Sequence, residues 1–189
     1  MNAALLLAGG ASQRMGRDKA SLLVEGVPMV VRVAHTLRKA GHRPILIAVR
    51  DGQQRREIGG LLAHLTDVEY LLDESVERGS KPALMSALSQ CHAMGIERIQ
   101  LAPCDLPWVE AEVFIRLQAI EAKIVIPRST HLEPLLANIE VAAVIEAIQN
   151  APRRSGLQDL MRGVPHRIID MQDLGEACFR NLNRPSDLT

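Results

Sequence analysis

Short apolar runs alternate with amphipathic stretches along the chain. Ala3–Leu7 is apolar at every position and stops at Gly9-Gly10, the pattern of a strand covered on both faces. Val27–Ala40 is amphipathic, carries Arg38 and Lys39 in its last turn and meets Gly41, which predicts a helix with that glycine as its stop. Ile45–Val49 reads as a second buried strand and Val68–Leu72 as a third. The polar loop Asp73–Lys81 follows, then a helix over Pro82–Met94 with Pro82 in its first turn and Gly95 beyond it, then a strand over Arg98–Ala102. Lys123–Ile126 predicts a further strand and Val141–Gln149 a further helix. Strands separated by helices of about three turns need crossover connections, so the expected fold is a three-layer α/β/α arrangement around a mostly parallel sheet. With no repeat, low-complexity tract or linker, residues 1–189 read as one domain. Ligands of such sheets gather at the carboxyl ends of strands. The positions after Leu7, Leu72 and Ala102 are therefore the places to look.

Composition narrows the function. The 189 residues are 47% apolar but only 2% aromatic, so the core must be aliphatic. Stacking on single-stranded nucleic acid, which needs aromatic platforms, is disfavoured. Twenty-two Lys and Arg balance 22 Asp and Glu, which removes the field that sequence-independent DNA binding uses. The longest strictly apolar stretch, Ala3–Ala8, is too short to cross a bilayer and lacks a basic leader. A cytoplasmic protein, monomeric or weakly self-associating, with no nucleic-acid or membrane partner, is expected. Cys91, Cys104 and Cys178 are odd in number and far apart, against both a disulfide framework and a CxxC site. The histidines have no ligand-like spacing.

The chemistry concentrates in Leu5–Lys19, LLLAGGASQRMGRDK. A strand running into Gly9-Gly10 lets backbone approach a ligand closely and offers amides to an anion. Arg14 and Lys19 add two cations suited to a polyphosphate. The P-loop and dinucleotide glycine patterns are both absent. The strand at Arg98–Ala102 leads into Pro103-Cys104-Asp105-Leu106-Pro107, which holds Asp105 just past a strand end. That is a fitting place for one carboxylate of a Mg²⁺ site that also bridges to substrate phosphates; a turn-forming aspartate is the alternative.

With its LAGGxxxRMGxDK after the first strand, the chain resembles the nucleotidyltransferases of the molybdenum cofactor guanylyltransferase family. The resemblance implies a Rossmann-like nucleotidyltransferase fold, with nucleotide binding in the N-terminal half and acceptor binding in the C-terminal half. Leu7, Ala8, Gly9 and Gly10 would face guanine and ribose. Arg14 and Lys19 would hold the triphosphate, and Asp105, in the family's PCDxP motif, the Mg²⁺. Asp73 stands where the family has an aspartate contacting the nucleotide. Glu133-Pro134-Leu135 resembles the family's HPL segment with Glu in place of His. Arg180–Leu188 resembles its NxNTPxDL ending, which would place Asn183, with Asn181 beside it, near the reacting phosphates.

The resemblance implies transfer of GMP from GTP to the phosphate of the molybdenum cofactor (molybdopterin), with release of pyrophosphate. Two departures stand out. RMGRDK is one residue shorter than the usual RMGGxDK, and residues 79–88 lack the small residues usual after the proline. A cytidylyltransferase on the same cofactor, a guanylyltransferase acting on cobinamide phosphate, and a nucleotide-binding partner without chemistry therefore stay open. Arg153, Arg154, Arg162, His166 and Arg167 could bind the acceptor's phosphate or form a solvated face.

Overall fold

The computed structural model describes residues 2–9, 18–75, 79–152 and 154–182. Its centre is β1 (Ala3–Leu7), whose first four residues are almost wholly excluded from solvent. Only a strand flanked by two others and covered by helices above and below can bury such a run. On one side β1 pairs in parallel with β4 (Ile45–Val49), which pairs in parallel with β5 (Val68–Leu72). On the other side it pairs in parallel with β6 (Arg98–Pro103). Next to β6 lies β8 (Asn138–Glu140), antiparallel both to β6 and to β7 (Ile124–Arg128), and β9 (His166–Asp170) closes the sheet parallel to β7. The order is β5-β4-β1-β6-β8-β7-β9. Every strand except β8 points the same way, so their carboxyl ends share one edge.

Alternate residues of the strands feed two apolar clusters. Ala4, Leu6, Ile45 and Ile47 pack against α1 (Met29–Lys39), α2 (Gly52–Leu62) and α4 (Ala111–Gln118). Ala3, Leu5 and Leu46 pack against α3 (Ser80–Ala93), α5 (Val141–Asn150) and α6 (Leu157–Arg162). The three layers expected from the sequence are present. The α1 stripe of Val30, Val33, Ala34 and Leu37 is fully buried, each of its larger side chains contributing about 1.5–3 kcal/mol relative to exposure.

Boundaries differ from the sequence reading for local reasons. Val27 and Pro28 form β3, which pairs with β2 (Leu23–Val24) across a turn at Glu25-Gly26, so the helix begins only at Met29. It ends as expected, with Gly41 at φ +89°, a conformation glycine adopts without strain. α3 starts two residues before Pro82, whose missing N–H costs nothing within a first turn. α2, α4, α6, β8 and β9 were not expected.

Between β6 and β8 runs a buried polar seam. Arg98 Nε donates to Asn138 Oδ1 at 2.7 Å, Asn138 Nδ2 to Gln100 Oε1 at 3.4 Å, and Gln100 Nε2 to the Leu136 carbonyl at 2.6 Å. Arg98 also donates to the carbonyl of Ala122.

His42 is buried against Phe114, its ring edge-on. Its Nδ1 faces the Asn2 carbonyl at 3.2 Å while Nε2 has no hydrogen-bond partner among the described residues. Burial holds its pKa below the ordinary 6.5, against the pull of the backbone hydrogen bonds. His35 is lowered too, by burial and by His64. Because the folded state disfavours the protonated form, this contribution to stability is intact above the unfolded pKa and is lost as pH falls through and below it. The slope is at most about 1.4 kcal/mol per pH unit per histidine. Urea midpoints measured between pH 8 and 5 should fall on acidification. His42→Leu, which leaves the Asn2 carbonyl bonded to Arg43 N, should flatten that decline; an unchanged slope would exclude His42 as its source.

Candidate active site

Three strand ends meet at the carboxyl edge of the sheet. The ladder between β1 and β6 runs one step past the strands, where Cys104 N donates to the Leu7 carbonyl at 3.2 Å. Asp105 follows immediately. Its loop is held from two sides, by Arg32 Nε on the Pro107 carbonyl at 3.0 Å and by Leu182 N on the Asp105 carbonyl at 2.9 Å. Across from it, a 3₁₀ turn at Lys19–Ser21 directs Lys19 inward. Lys19 Nζ lies 2.8 Å from Asp105 Oδ2, with side chains 15% and 27% exposed. The two residues are 86 apart in sequence, and only the fold brings them together.

Asp18 sets that turn. Its Oδ1 accepts from Ala20 N at 2.9 Å as the N-cap, and its Oδ2 accepts from Gln54 Nε2 at 2.6 Å. Gln54 is fully buried at the start of α2. The same Nε2 donates to the Ala8 carbonyl at 2.9 Å, and Gln54 Oε1 accepts from Arg50 N at 2.6 Å.

On the far side of Asp105, β8 continues the antiparallel register of β6 backwards. Arg98 faces Glu140, Ile99 faces Ile139 and Gln100 faces Asn138, with Leu101 N still bonded to the Ala137 carbonyl. That run leads back through the 3₁₀ turn at Pro134–Leu136 to Glu133, near enough to Asp105 for the two carboxyl groups to feel each other's charge. Burial raises the Glu133 carboxyl above its ordinary value; His131 opposes this and Asp105 adds to it. The Cys104 thiol, pushed up to about 12 by burial and then by Asp105, is inert, as is Cys91, also raised to about 12 by burial. All three cysteines are free and buried, as the sequence predicts.

Of the residues singled out from the sequence, Leu7, Ala8, Gly9, Lys19 and Asp105 stand at this edge. Gly10, Arg14, Arg153 and Asn183 lie outside the described residues. Ala8 turns its side chain into the core, and its N–H donates to the Ala48 carbonyl. A Cβ on Gly9 would meet nothing closer than Arg50 N at 3.5 Å, an ordinary contact, so packing alone does not demand glycine there. Asp73 lies past β5, with Oδ1 accepting from both Ser75 N at 2.9 Å and Ser75 Oγ at 2.6 Å. Beyond it a cleft of about 450 Å³ is lined by Ser75, Lys81, Met85 and Ser86. Asn181 is exposed beside Leu182, and Arg154, Arg162 and Arg167 are exposed on the α6 and β9 side.

Gln54 and Asp18 were not singled out from the sequence. A signal for Gln54 was there: Asp51 followed three residues later by Gln54 is the spacing of a helix-start box, and Asp51 Oδ1 does accept from Gln54 N at 2.8 Å.

A three-layer α/β/α fold that pairs a cation with a carboxylate at the carboxyl edge of its sheet has the parts a nucleotidyltransferase needs, a place for a ligand and charges to hold phosphate and metal. Residues 4–170 match the model of the MobA-like NTP transferase domain, and the chain belongs to that family. A probable molybdenum cofactor guanylyltransferase of Opitutus terrae is 31% identical, over 98% of this chain and 92% of its own length. One from Methanothermobacter thermautotrophicus is 26% identical over 100% of the chain and 98% of its own. Molybdopterin-guanine dinucleotide biosynthesis protein A from Archaeoglobus fulgidus shares the fold with a TM-score of 0.73 at 21% identity, covering 98% of this chain and 94% of its own. Among the described residues no helix is long and apolar enough to cross a membrane.

Proposed function

We propose that the chain transfers the GMP moiety of GTP to the phosphate of the molybdenum cofactor (molybdopterin). An oxygen of the acceptor phosphate attacks the α-phosphorus, the bond to the β-bridging oxygen breaks, and pyrophosphate leaves with the electron pair of that bond. The observation that carries this reading is the Lys19–Asp105 pair, 2.8 Å apart at the edge where β1 and β6 end. The relatives named molybdenum cofactor guanylyltransferase, matched along nearly the whole chain, support the choice of nucleotide and acceptor.

Among the described residues no three His, Cys, Asp or Glu side chains gather as a metal cage. One partly exposed carboxylate, Asp105, suits Mg²⁺, which commonly takes one or two protein carboxylates and completes its shell with waters and substrate phosphates. When bound, Mg²⁺ neutralises charge developing on the phosphate oxygens. Until substrate arrives, Lys19 and Asp105 neutralise each other. With it, Lys19 would turn its charge to the departing pyrophosphate, by the family resemblance together with Arg14, and Asp105 would hold the cation. Gly9, with no side chain, would let the nucleotide approach the backbone at the end of β1. Leu7 stands at its approach and Asp73 meets its ribose side; by the family resemblance Gly10 would face the nucleotide and Asn183 would donate to a phosphate oxygen. No covalent intermediate is needed; alignment and charge neutralisation carry the reaction.

The test is pyrophosphate release from GTP and from CTP, each with and without molybdopterin and Mg²⁺. Release from GTP that depends on molybdopterin is the expected result. Release from CTP alone, or none with any nucleotide while GTP still binds, would overturn the assignment.

A further inference from the structure

We propose that Gln54 is a positioning residue of the transfer reaction: one buried amide joins the end of β1 to Asp18, and thereby fixes the turn from which Lys19 reaches Asp105. The inference rests on the reading of Lys19 and Asp105 given above. The amide's orientation is settled by its partners. A backbone N–H must meet an oxygen, and a carbonyl and a carboxylate must meet an N–H, so Arg50 N takes Oε1 while Ala8 O and Asp18 Oδ2 take the two protons of Nε2. All of the side chain's hydrogen-bonding groups on these faces are thus committed, at 2.6, 2.9 and 2.6 Å.

The arrangement spans the ends of residues 10–17, since Ala8 precedes that segment and Asp18 follows it. Asp18 is only 8% exposed at its side chain, and among the described residues the cation paired with it, Arg50 Nη2, is 3.9 Å from Oδ2. Gln54 is therefore a principal partner of a nearly buried carboxylate. That carboxylate caps the turn through Ala20 N, and the turn begins with Lys19. Without the amide, Asp18 would turn toward Arg50 or water. The cap would be lost, and with it the aim of Lys19. Gln54 itself touches neither Lys19 nor Asp105 in the hydrogen bonds described, so it acts through Asp18.

Gln54→Glu gives a test with a distinctive signature. It sets a second carboxyl against the Asp18 carboxylate, with Arg50 at the end of β4 and Asp51 at the start of α2 as the other charged groups around it. A carboxyl so placed titrates above its ordinary range. At pH 8 the two charges repel, and kcat/KM for GTP should fall at least tenfold. Toward pH 6 the introduced carboxyl, once protonated, can donate to Asp18 again and activity should recover, whereas Gln54→Ala should stay low across the range. The ammonium resonance of Lys19, followed by nitrogen-15 NMR without substrate, should show the ion pair with Asp105 weakened at pH 8 and restored at pH 6 in Gln54→Glu. The double variant Asp18→Asn with Gln54→Glu exchanges donor and acceptor across the contact. It should fold, keep the Lys19 signal and give a flat pH profile. Wild-type kcat/KM and pH dependence in Gln54→Glu, or a Lys19 resonance unaffected by either variant, would overturn the proposal. Should wild-type protein release no pyrophosphate at all, the reaction assignment fails, while the NMR readout still decides the role of Gln54.

Discussion

Lys19→Ala should lower the rate of pyrophosphate release ten- to a hundredfold or more while leaving the protein folded. The reasoning starts from geometry: Lys19 Nζ sits 2.8 Å from Asp105 Oδ2 at the edge where three strands end. A charge-assisted contact of this kind contributes about 1.5–3 kcal/mol, and each 1.36 kcal/mol removed from transition-state stabilisation is a factor of ten in rate. The effect on stability should be small, because the pair lies in partial contact with water, where ion pairs add little to folding. Lys19→Arg retains the charge but replaces a compact ammonium with a planar fork, so it should recover only part of the loss. Steady-state rates beside thermal melting separate the two effects. Full activity in Lys19→Ala would remove the assigned role.

Asp105→Ala should cost more, about a thousandfold, on the scale of losing one principal electrostatic stabiliser of a transition state. The substitution leaves intact the backbone bonds that hold this loop, from Cys104 N to Leu7 and from Leu182 N to Asp105, so melting should change little. Asp105→Asn keeps an oxygen ligand without its charge and should fall between wild type and alanine. The measurement is pyrophosphate release across a Mg²⁺ titration. A wild-type rate in Asp105→Ala with Mg²⁺ present would sink the metal assignment.

What could be read from the chain beforehand follows from what apolar patterning encodes. Ala3–Leu7 and Ile45–Val49 are continuous apolar runs, which burial on both faces writes directly into sequence, and Arg98–Ala102 shows itself through Ile99, Leu101 and Ala102 between its polar positions. Their carboxyl ends located Gly9 and Asp105 correctly at one edge. α2 escaped because its first turns read Gly-Gln-Gln-Arg-Arg-Glu and only Gln54, Ile58 and Leu62 of the helix are buried; its signal lay in the Asp51 cap instead. β8 is three residues long and β9 carries Ile168 exposed between Arg167 and Ile169, so neither had a periodic pattern to find. The partnership of Gln54 with Asp18 spans 36 positions, and no local propensity reports a contact at that range. Ala8 makes a related point: its place in the motif marks it as lining the approach to the nucleotide, whereas its side chain serves the core and its carbonyl serves Gln54.

The polar seam between β6 and β8 has a consequence for how the two halves of the site stay in step. Its amides and guanidinium work like teeth. Sliding β8 by a single residue would strand Gln100 and Asn138 without partners inside the sheet, at about 1–3 kcal/mol for each orphaned group, where a purely aliphatic pairing would tolerate the shift far better. The distance from Asn138 back to Glu133 is short and stiffened by Pro134, so the vernier that sets β8 also sets where the Glu133 carboxyl stands relative to Asp105.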